Sequence, residues 1–401
     1  MIQIALLGFG VVGSGTAEVL TKNRSLIEKH SGKQVEIKYI LDLRDFPDHP
    51  LGNRVVHDFN LILNDPEVSV VAEMMGGSHP AYEFTKAALE AGKHVVTSNK
   101  EVVANFGAEL LNLAREHGVN YLFEASVGGG IPIIRPLQND FAPDNILSVS
   151  GILNGTTNYI LSKMKNDGAE FADALREARE KGYAEADPTA DIEGLDAARK
   201  IVILCALAFG VLLSPSEIEV QGITNITADQ VAVAESLGCA VKLIGHTERI
   251  GTRVLALVGP HLVPASNPIH HVEEVFNGIL VDSDPLGRTF FYGAGAGKLP
   301  TAGAIVSDIL NAPSADLILP VWKRANPNEV ATSKDRKVRR AFVLPGCAGC
   351  AEKAKPVFGF TDCVLRDGSF AFISVPMTGT EAEQALKTLG KEPVWTLPVL
   401  D

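Results

Sequence analysis

Cysteine is scarce in this chain, with five in 401 residues. The number is odd and the spacing irregular, so the sequence offers no disulfide framework and suits a reducing compartment. Long hydrophobic runs are missing as well. The longest, Ile201–Leu213, falls short of the ~20 apolar residues that a membrane span requires, so it reads as a buried helix. Positive charge is outweighed: 36 Lys and Arg against 48 Asp and Glu leave a net charge of −12. That balance argues against nucleic acid or an anionic membrane as the main partner. Met1–Leu7 is apolar, lacks a basic leader and stops at glycine, so it reads as a strand rather than a signal peptide. These absences describe a soluble, cytoplasmic protein with room for two or three domains.

What is present begins with glycine. Strand Ile2–Leu7 runs straight into Gly8-Phe9-Gly10-Val11-Val12-Gly13, and a helical pattern follows. Placed between a first strand and a first helix, these glycines allow a tight turn, close approach of a pyrophosphate, and close helix–strand packing. The helix N-terminus then offers free N–H groups to the phosphates. The competing reading is a glycine turn with no ligand. A second strand, Val35–Leu41, ends at Asp42, with Arg44 and Asp45 just after it. An acid there favours the free ribose of NAD, an arginine the 2′-phosphate of NADP. Arg44 either reads that phosphate or pairs with Asp45; the balance leans to NADP, with dual use open.

Strand Val68–Met74, helix Pro80–Ala91, strand His94–Thr97, helix Phe106–His117 and strand Val119–Phe123 continue the alternation. This is the rhythm of a Rossmann-type, doubly wound parallel sheet. Gly76 and Ser98-Asn99-Lys100 sit just beyond strand carboxyl ends, where such sheets bind ligands. Lys100 is either a site residue or an exposed loop lysine. Next comes Glu124-Ala-Ser-Val-Gly-Gly-Gly130-Ile131-Pro132. Its three glycines fit either a hinge or a loop whose carbonyls, with Glu124, bind a hard cation.

The second half reads as α+β. Strand Leu147–Leu153, the turn Asn154-Gly-Thr-Thr-Asn158, and helices Tyr159–Asn166 and Glu170–Lys181 lead to an acidic stretch, Gly182–Lys200. It holds five carboxylates: Glu185, Asp187, Asp191, Glu193 and Asp196. Asp196 and Lys200 are four apart, so on a helix they share one face. The carboxylates suit a small substrate bearing an ammonium group, and the lysine could exchange a proton with it. Alone, the stretch fits better an acidic, solvated loop followed by a surface ion pair. Short strands follow at Arg253–Val258, Ile279–Val281 and Thr289–Tyr292. A second glycine cluster, with Gly295 and Gly297, opens helix Ala302–Asn311 and returns the chain to the nucleotide fold, closing over the cofactor. His270-His271 lacks neighbours with ligand spacing and reads as structural or exposed.

The expected boundaries are 1–134 for the nucleotide domain, completed by 297–320, and 135–296 for the substrate domain. A linker over 321–340 and a small α+β module over 341–401 follow. In that module Cys347, Cys350 and Cys363 are one thiol short of an all-cysteine zinc site. They also lack the strand–helix setting of a thioredoxin-type motif. They read as spectators, with a redox switch left open.

At this point the residues resemble a known family, homoserine dehydrogenase, over about residues 2–312. The most specific part is Ala178-x3-Gly182-Tyr-Ala-Glu-Ala-Asp187-Pro188-x2-Asp191-Ile-x-Gly194-x-Asp196-x3-Lys200. The Gly8–Gly13 turn, Ser98-Asn99-Lys100, Glu124–Pro132, Asn154–Asn158 and Gly295-x-Gly297 lie in the family's order. The resemblance implies reversible, NAD(P)-dependent interconversion of L-homoserine and L-aspartate 4-semialdehyde, in threonine, methionine and isoleucine biosynthesis. It implies Lys200 as catalytic acid/base and Lys100 at the cofactor–substrate junction. Glu185 would hold the substrate amino group, with Gly182, Asp191 and Asp196 in the same pocket. A sodium ion would be bound by Glu124 and the carbonyls of Val127, Gly129 and Ile131. A homodimer built through the substrate domain is implied too. The tail departs from the family's ACT module: its first helix reads as shortened, and Pro345-Gly-Cys-Ala-Gly-Cys350 replaces the usual loop. It is expected to be ACT-like, with L-threonine as a candidate ligand. Two alternatives remain: another two-domain Rossmann amino-acid dehydrogenase, or a non-catalytic nicotinamide sensor.

Overall fold

A computed structural model describes residues 1–315 and 317–401. Residue 316, inside the segment 297–320 expected to complete the nucleotide fold, lies outside the described residues. The chain divides into two compact units. The first comprises Met1–Asn145, Val202–Pro215 and Gly293–Arg324; the second comprises Ile146–Ile201, Ser216–Tyr292 and Ala325–Asp401.

Six parallel strands form the sheet of the first unit: β1 (Ile2–Leu7), β2 (Val35–Leu41), β3 (Val55–Val56), β4 (Val68–Glu73), β5 (His94–Thr97) and β6 (Tyr121–Leu122). Their order is β3-β2-β1-β4-β5-β6, so the strand order reverses between β1 and β4, where ligands bind in such sheets. Ile4, Ala5, Leu6 and Leu7 are fully buried; a central parallel strand is covered on both faces, which explains its unbroken apolar run. Helix Val11–Lys22 packs on helix Lys298–Asn311, and a Cβ at Gly15 would lie 2.9 Å from the Lys298 carbonyl oxygen. Ile4, Leu6, Val70, Ala72, Val96, Ile305 and Ile309 share this unit's core. The helix expected over Phe106–His117 starts earlier, at Lys100. Asn99 supplies the reason: its side chain accepts from the backbone N–H of Glu101 and Val102 and caps the first turn.

The second unit holds a mixed sheet in the order Gly287–Ala294, Phe276–Asp284, Asn145–Ile152, Cys239–Ile250, Arg253–Pro264, Glu219–Val220. Its longest pairing joins Cys239–Ile250 to Arg253–Pro264 across twelve residues each. Strand Cys239–Ile250 has no counterpart in the sequence pattern, and its partner is twice the length expected over Arg253–Val258. Both strands are buried along most of their length, so the period-2 alternation that announces a half-exposed strand is absent. Helix Leu195–Phe209 contains most of the long apolar run. No helix among the described residues is long and apolar enough to cross a membrane.

The tail is a four-stranded antiparallel sheet ordered Val364–Arg366, Ser369–Ile373, Arg340–Pro345, Trp395–Pro398. Helices Ala348–Phe358 and Gly379–Leu389 complete a βαββαβ order. The first of them runs for eleven residues. Only Gly346 and Cys347 separate the strand, which ends at Pro345, from the helix, which begins at Ala348. Phe342, Phe358, Phe360, Phe370 and Phe372 stack into this module's core. A chain with only 6% aromatics concentrates them here, where a small sheet needs large side chains to bury enough area. In the stretch read as a linker, Ala331 and Arg336 are buried.

Candidate active site

The first unit gathers the nucleotide half of the candidate site at the strand ends. Gly8 takes φ +90°, and a Cβ at Gly13 would sit 2.1 Å from the Gly8 carbonyl oxygen. Gly10 is the opposite case, with nothing within 4 Å of the Cβ position. Two glycines therefore serve the turn, and the third leaves open space for a ligand to approach. Val11 and Val12 begin the helix, Val11 exposed. Phe9 is buried, and its N–H donates to Asp42 Oδ2 at 2.8 Å. A cleft of about 520 Å³ lies beside this turn, lined by Gly8, Gly10, Asp42, Arg44, His57 and Gly76 among others.

Arg44 pairs with Asp42 rather than with Asp45. Its Nε lies 3.0 Å from Oδ1 and its Nη2 3.1 Å from Oδ2. The guanidinium, then the Phe9 and Arg44 N–H groups, hold the Asp42 carboxyl down to about 2. Asp45 instead meets His57 Nε2 at 3.1 Å. His57 also contacts the Asp42 carbonyl oxygen, and this contact, followed by Asp45, raises its pKa. The mouth of the cleft thus carries Arg44 and His57 next to one acid whose oxygens are already engaged.

Glu73, at the end of β4, went unnoticed in the sequence. Its carboxylate is fully buried and accepts from Thr97 Oγ1 (2.6 Å) and the Met75 N–H (2.7 Å). Burial pushes its pKa up. Asn99 Nδ2 reaches Gly77 O at 2.8 Å while Asn99 Oδ1 caps the helix. The two loops after β4 and β5 are thereby tied together, and Lys100, half-buried, takes the first helical position.

The two glycine clusters meet in the same unit. A Cβ at Gly129 (φ +56°) would sit 2.4 Å from Gly295 O, and the Gly130 N–H donates to Ala294 O at 3.0 Å. Gly297, at φ +122°, precedes helix Lys298–Asn311. Glu124 is 3% exposed; Oε1 accepts from the N–H groups of Ile133 and Ile134, and Oε2 from that of Arg135. Its own N–H donates to Asp308 Oδ2, and Arg135 Nη2 reaches Asp308 Oδ1. Burial, followed by the Glu124 charge, pushes Asp308 up to about 7. Neither Asp308 nor Arg135 stands in a recognisable motif. Among the described residues no group of three or more His, Cys, Asp or Glu side chains could hold a metal ion.

The second unit assembles the acidic half. Lys200 Nζ donates to Leu153 O at 2.7 Å and to Asp196 Oδ2 at 2.9 Å. Both side chains are over nine-tenths buried, so the solvated surface pair is ruled out. Asn154 joins them: Nδ2 donates to Asp191 Oδ1 (2.7 Å) and Asp196 Oδ2 (2.9 Å), and Oδ1 caps helix Gly155–Asp167 through Thr157 N–H. The turn expected at Asn154–Asn158 is mostly helix, and its asparagine is the hub of the constellation. Gly182, at φ +73°, closes helix Phe171–Glu180. Glu185 is exposed. Asp187 departs from the group, accepting from the N–H and hydroxyl of Thr189. His270 Nδ1 and His271 Nε2 bond to the carbonyls of Val263 and Ala265.

Comparison with known proteins gives this geometry a family. Residues 8–124 match the homoserine dehydrogenase NAD-binding domain, and residues 132–310 match the homoserine dehydrogenase domain. The homoserine dehydrogenase of Synechocystis sp. is 43% identical over 317 residues, covering 77% of this chain and 73% of that protein. The crystal structure of a homoserine dehydrogenase from Thiobacillus denitrificans superposes with a TM-score of 0.89 at 32% identity, covering all of this chain and 98% of the other. A hyperthermophilic archaeal homoserine dehydrogenase in complex with NADPH covers 79% of this chain and 99% of its own, with a TM-score of 0.67 at 26% identity. A parallel sheet whose first strand ends in a glycine-rich turn, and a buried lysine paired with Asp196, fit one family: the chain belongs to the homoserine dehydrogenase family, the NAD(P)-dependent oxidoreductases that interconvert L-homoserine and L-aspartate 4-semialdehyde.

Proposed function

We propose that Lys200 is the proton donor and acceptor of this dehydrogenase, and that Asn154, Asp191 and Asp196 position it. The observation that carries the reading is the buried Lys200 ammonium, bonded to Leu153 O and Asp196. Bound nicotinamide supplies the hydride donor or acceptor, and the remaining work falls to side chains. Reduction of the aldehyde leaves a developing alkoxide, which an ammonium within hydrogen-bond reach stabilises and then protonates. Oxidation of the alcohol runs the same proton in reverse. Glu185 and Asp191 would meet the substrate ammonium, with Gly182 ending the preceding helix so that the loop can turn to it. Lys100 would stand at the cofactor–substrate junction.

Gly8, Phe9, Gly10, Val11, Val12, Gly13 and Gly76 would contact the cofactor, with Gly295 and Gly297 closing over it. Preference for NADP is supported by the Arg44 guanidinium, with the His57 ring nearby, beside an acid that is already engaged. Sodium suits the carbonyls of Val127, Gly129 and Ile131, hard oxygen donors in a glycine-rich loop. Glu124 would add negative charge there, its carboxylate being held by three N–H groups. A homodimer, a cytoplasmic location, the 1–134, 135–296 and 341–401 division, and an ACT-like tail that binds L-threonine complete the reading. The βαββαβ order of the tail supports the last of these.

The test follows reduced nicotinamide by absorbance with L-homoserine and either cofactor, with and without L-threonine, and compares sodium with a large organic cation. A homoserine-dependent rise, faster with NADP, threonine-inhibited and weakened without sodium, is expected. Folded protein that binds nucleotide yet shows no rise would overturn the assignment.

A further inference from the structure

The tail carries two thiols that the dehydrogenase chemistry leaves unused. Cys347 and Cys350 bring their Sγ atoms within 3.8 Å of each other. Strand Arg340–Pro345 passes through Gly346 into Cys347, which caps the eleven-residue helix Ala348–Phe358. Gly346 makes this approach sterically feasible. It sits at φ +147°, and a Cβ there would meet the Cys350 side chain at 2.7 Å. Cys347 is exposed and Cys350 half-buried, so one sulfur is open to attack and the other stands behind it. The N–H of Cys350, then its thiol, then the N–H of Gly349 hold the Cys347 thiol below its ordinary range. Lys391 Nζ, bonded to Pro345 O, adds a positive charge nearby. Strand, CxxC and helix in this order supply the strand–helix setting that the sequence pattern alone does not show.

We propose that Cys347 and Cys350 form a redox-active dithiol whose reaction partner is a small-molecule disulfide. The Cys347 thiolate attacks one sulfur of the disulfide; a mixed disulfide forms and one small thiolate leaves. Cys350 then attacks Cys347 Sγ, closing the Cys347–Cys350 bond and expelling the second small thiolate. The dithiol is oxidised by two electrons and the small disulfide is reduced to two thiols, which take up the two protons that the cysteines release. Thiolate exchange of this kind proceeds through such an intermediate.

The experiment treats the reduced full-length protein with oxidised glutathione, traps remaining thiols with iodoacetamide, and maps peptides by mass spectrometry. In the parent chain a Cys347–Cys350 disulfide is expected, with exposed Cys363 alkylated. Cys350→Ser should stop at a glutathione adduct on Cys347, and Cys347→Ser should lower modification of Cys350 several-fold. Without oxidant, Cys347 should alkylate several-fold faster than Cys363. Dehydrogenase turnover of both variants under reducing conditions should match the parent, which certifies folding. Equal alkylation of Cys347 and Cys363, no adduct in Cys350→Ser, or a disulfide that uses Cys363 would overturn the proposal.

Discussion

Lys200 poses a problem of charge before it poses one of catalysis. An ammonium more than nine-tenths buried survives only when paired and hydrogen-bonded; here Asp196 and Leu153 O meet that need. Lys200→Ala should lower kcat by about 10²–10⁴-fold, the usual weight of a general acid. It also leaves Asp196 buried without its cation, so a stability loss accompanies it. Nucleotide binding and the melting temperature, measured alongside turnover, separate the two effects. Near-normal turnover in the folded variant would remove Lys200 from the mechanism. Arg44 tests the cofactor in a similar way. Arg44→Ala frees the Asp42 carboxylate and deletes a phosphate partner, so the ratio of kcat/KM for NADP over NAD should fall by roughly tenfold or more, the order of one lost charge-assisted contact. An unchanged ratio would move specificity elsewhere in the cleft.

At the scale of elements, caps decide where site residues stand. Asn154→Ala should cost about 1 kcal/mol of stability through the lost N-cap, read by urea denaturation. Its second effect is the larger: Asp191 and Asp196 lose their shared donor, and kcat/KM for homoserine should drop. Thr378→Ala removes a cap from tail helix Gly379–Leu389 and should cost similar stability with turnover unchanged. If both variants turned over alike, Asn154 would be a cap and nothing more. This pairing also marks what could be read from sequence. The parallel sheet, the glycine turn and the run to Lys200 are local patterns, and local patterns carry their own periodicity. Asn154 was visible as part of a turn, but its carboxylate partners lie 37 and 42 residues away. Glu73, Arg135 and Asp308 act only through contacts that folding creates, with no spacing to betray them. The strand–helix setting of Cys347 reads poorly because Pro345, Gly346 and Gly349 look like a loop until the strand before them and the helix after them are in place.

The whole molecule carries a consequence of buried histidine. In the second unit His246 is 2% exposed and bonds Ser150 Oγ at 2.8 Å. His261 Nδ1 faces the Gly259 carbonyl, and Nε2 faces the Arg336 guanidinium, which also binds Glu248. A ring that donates to a carbonyl through Nδ1 and accepts from arginine through Nε2 is neutral, so protonation would break the second contact. Burial, then the Arg336 charge, lowers both rings, His246 to about 4. The sign follows: between pH 6.5 and about 4 the unfolded chain binds protons that the folded chain refuses. Stability is therefore full above that window and is lost as pH falls through it, at up to about 1.4 kcal/mol per pH unit for each proton. Urea unfolding across the window checks this, with His246→Gln expected to remove one proton's share of the slope. An equal slope in parent and variant would mean that carboxylates alone set the acid limit. Arg336 makes the outcome informative beyond one ring. It lies in the stretch that reads as a linker, yet it is buried against His261, so acid should loosen 325–340 together with the sheet it covers.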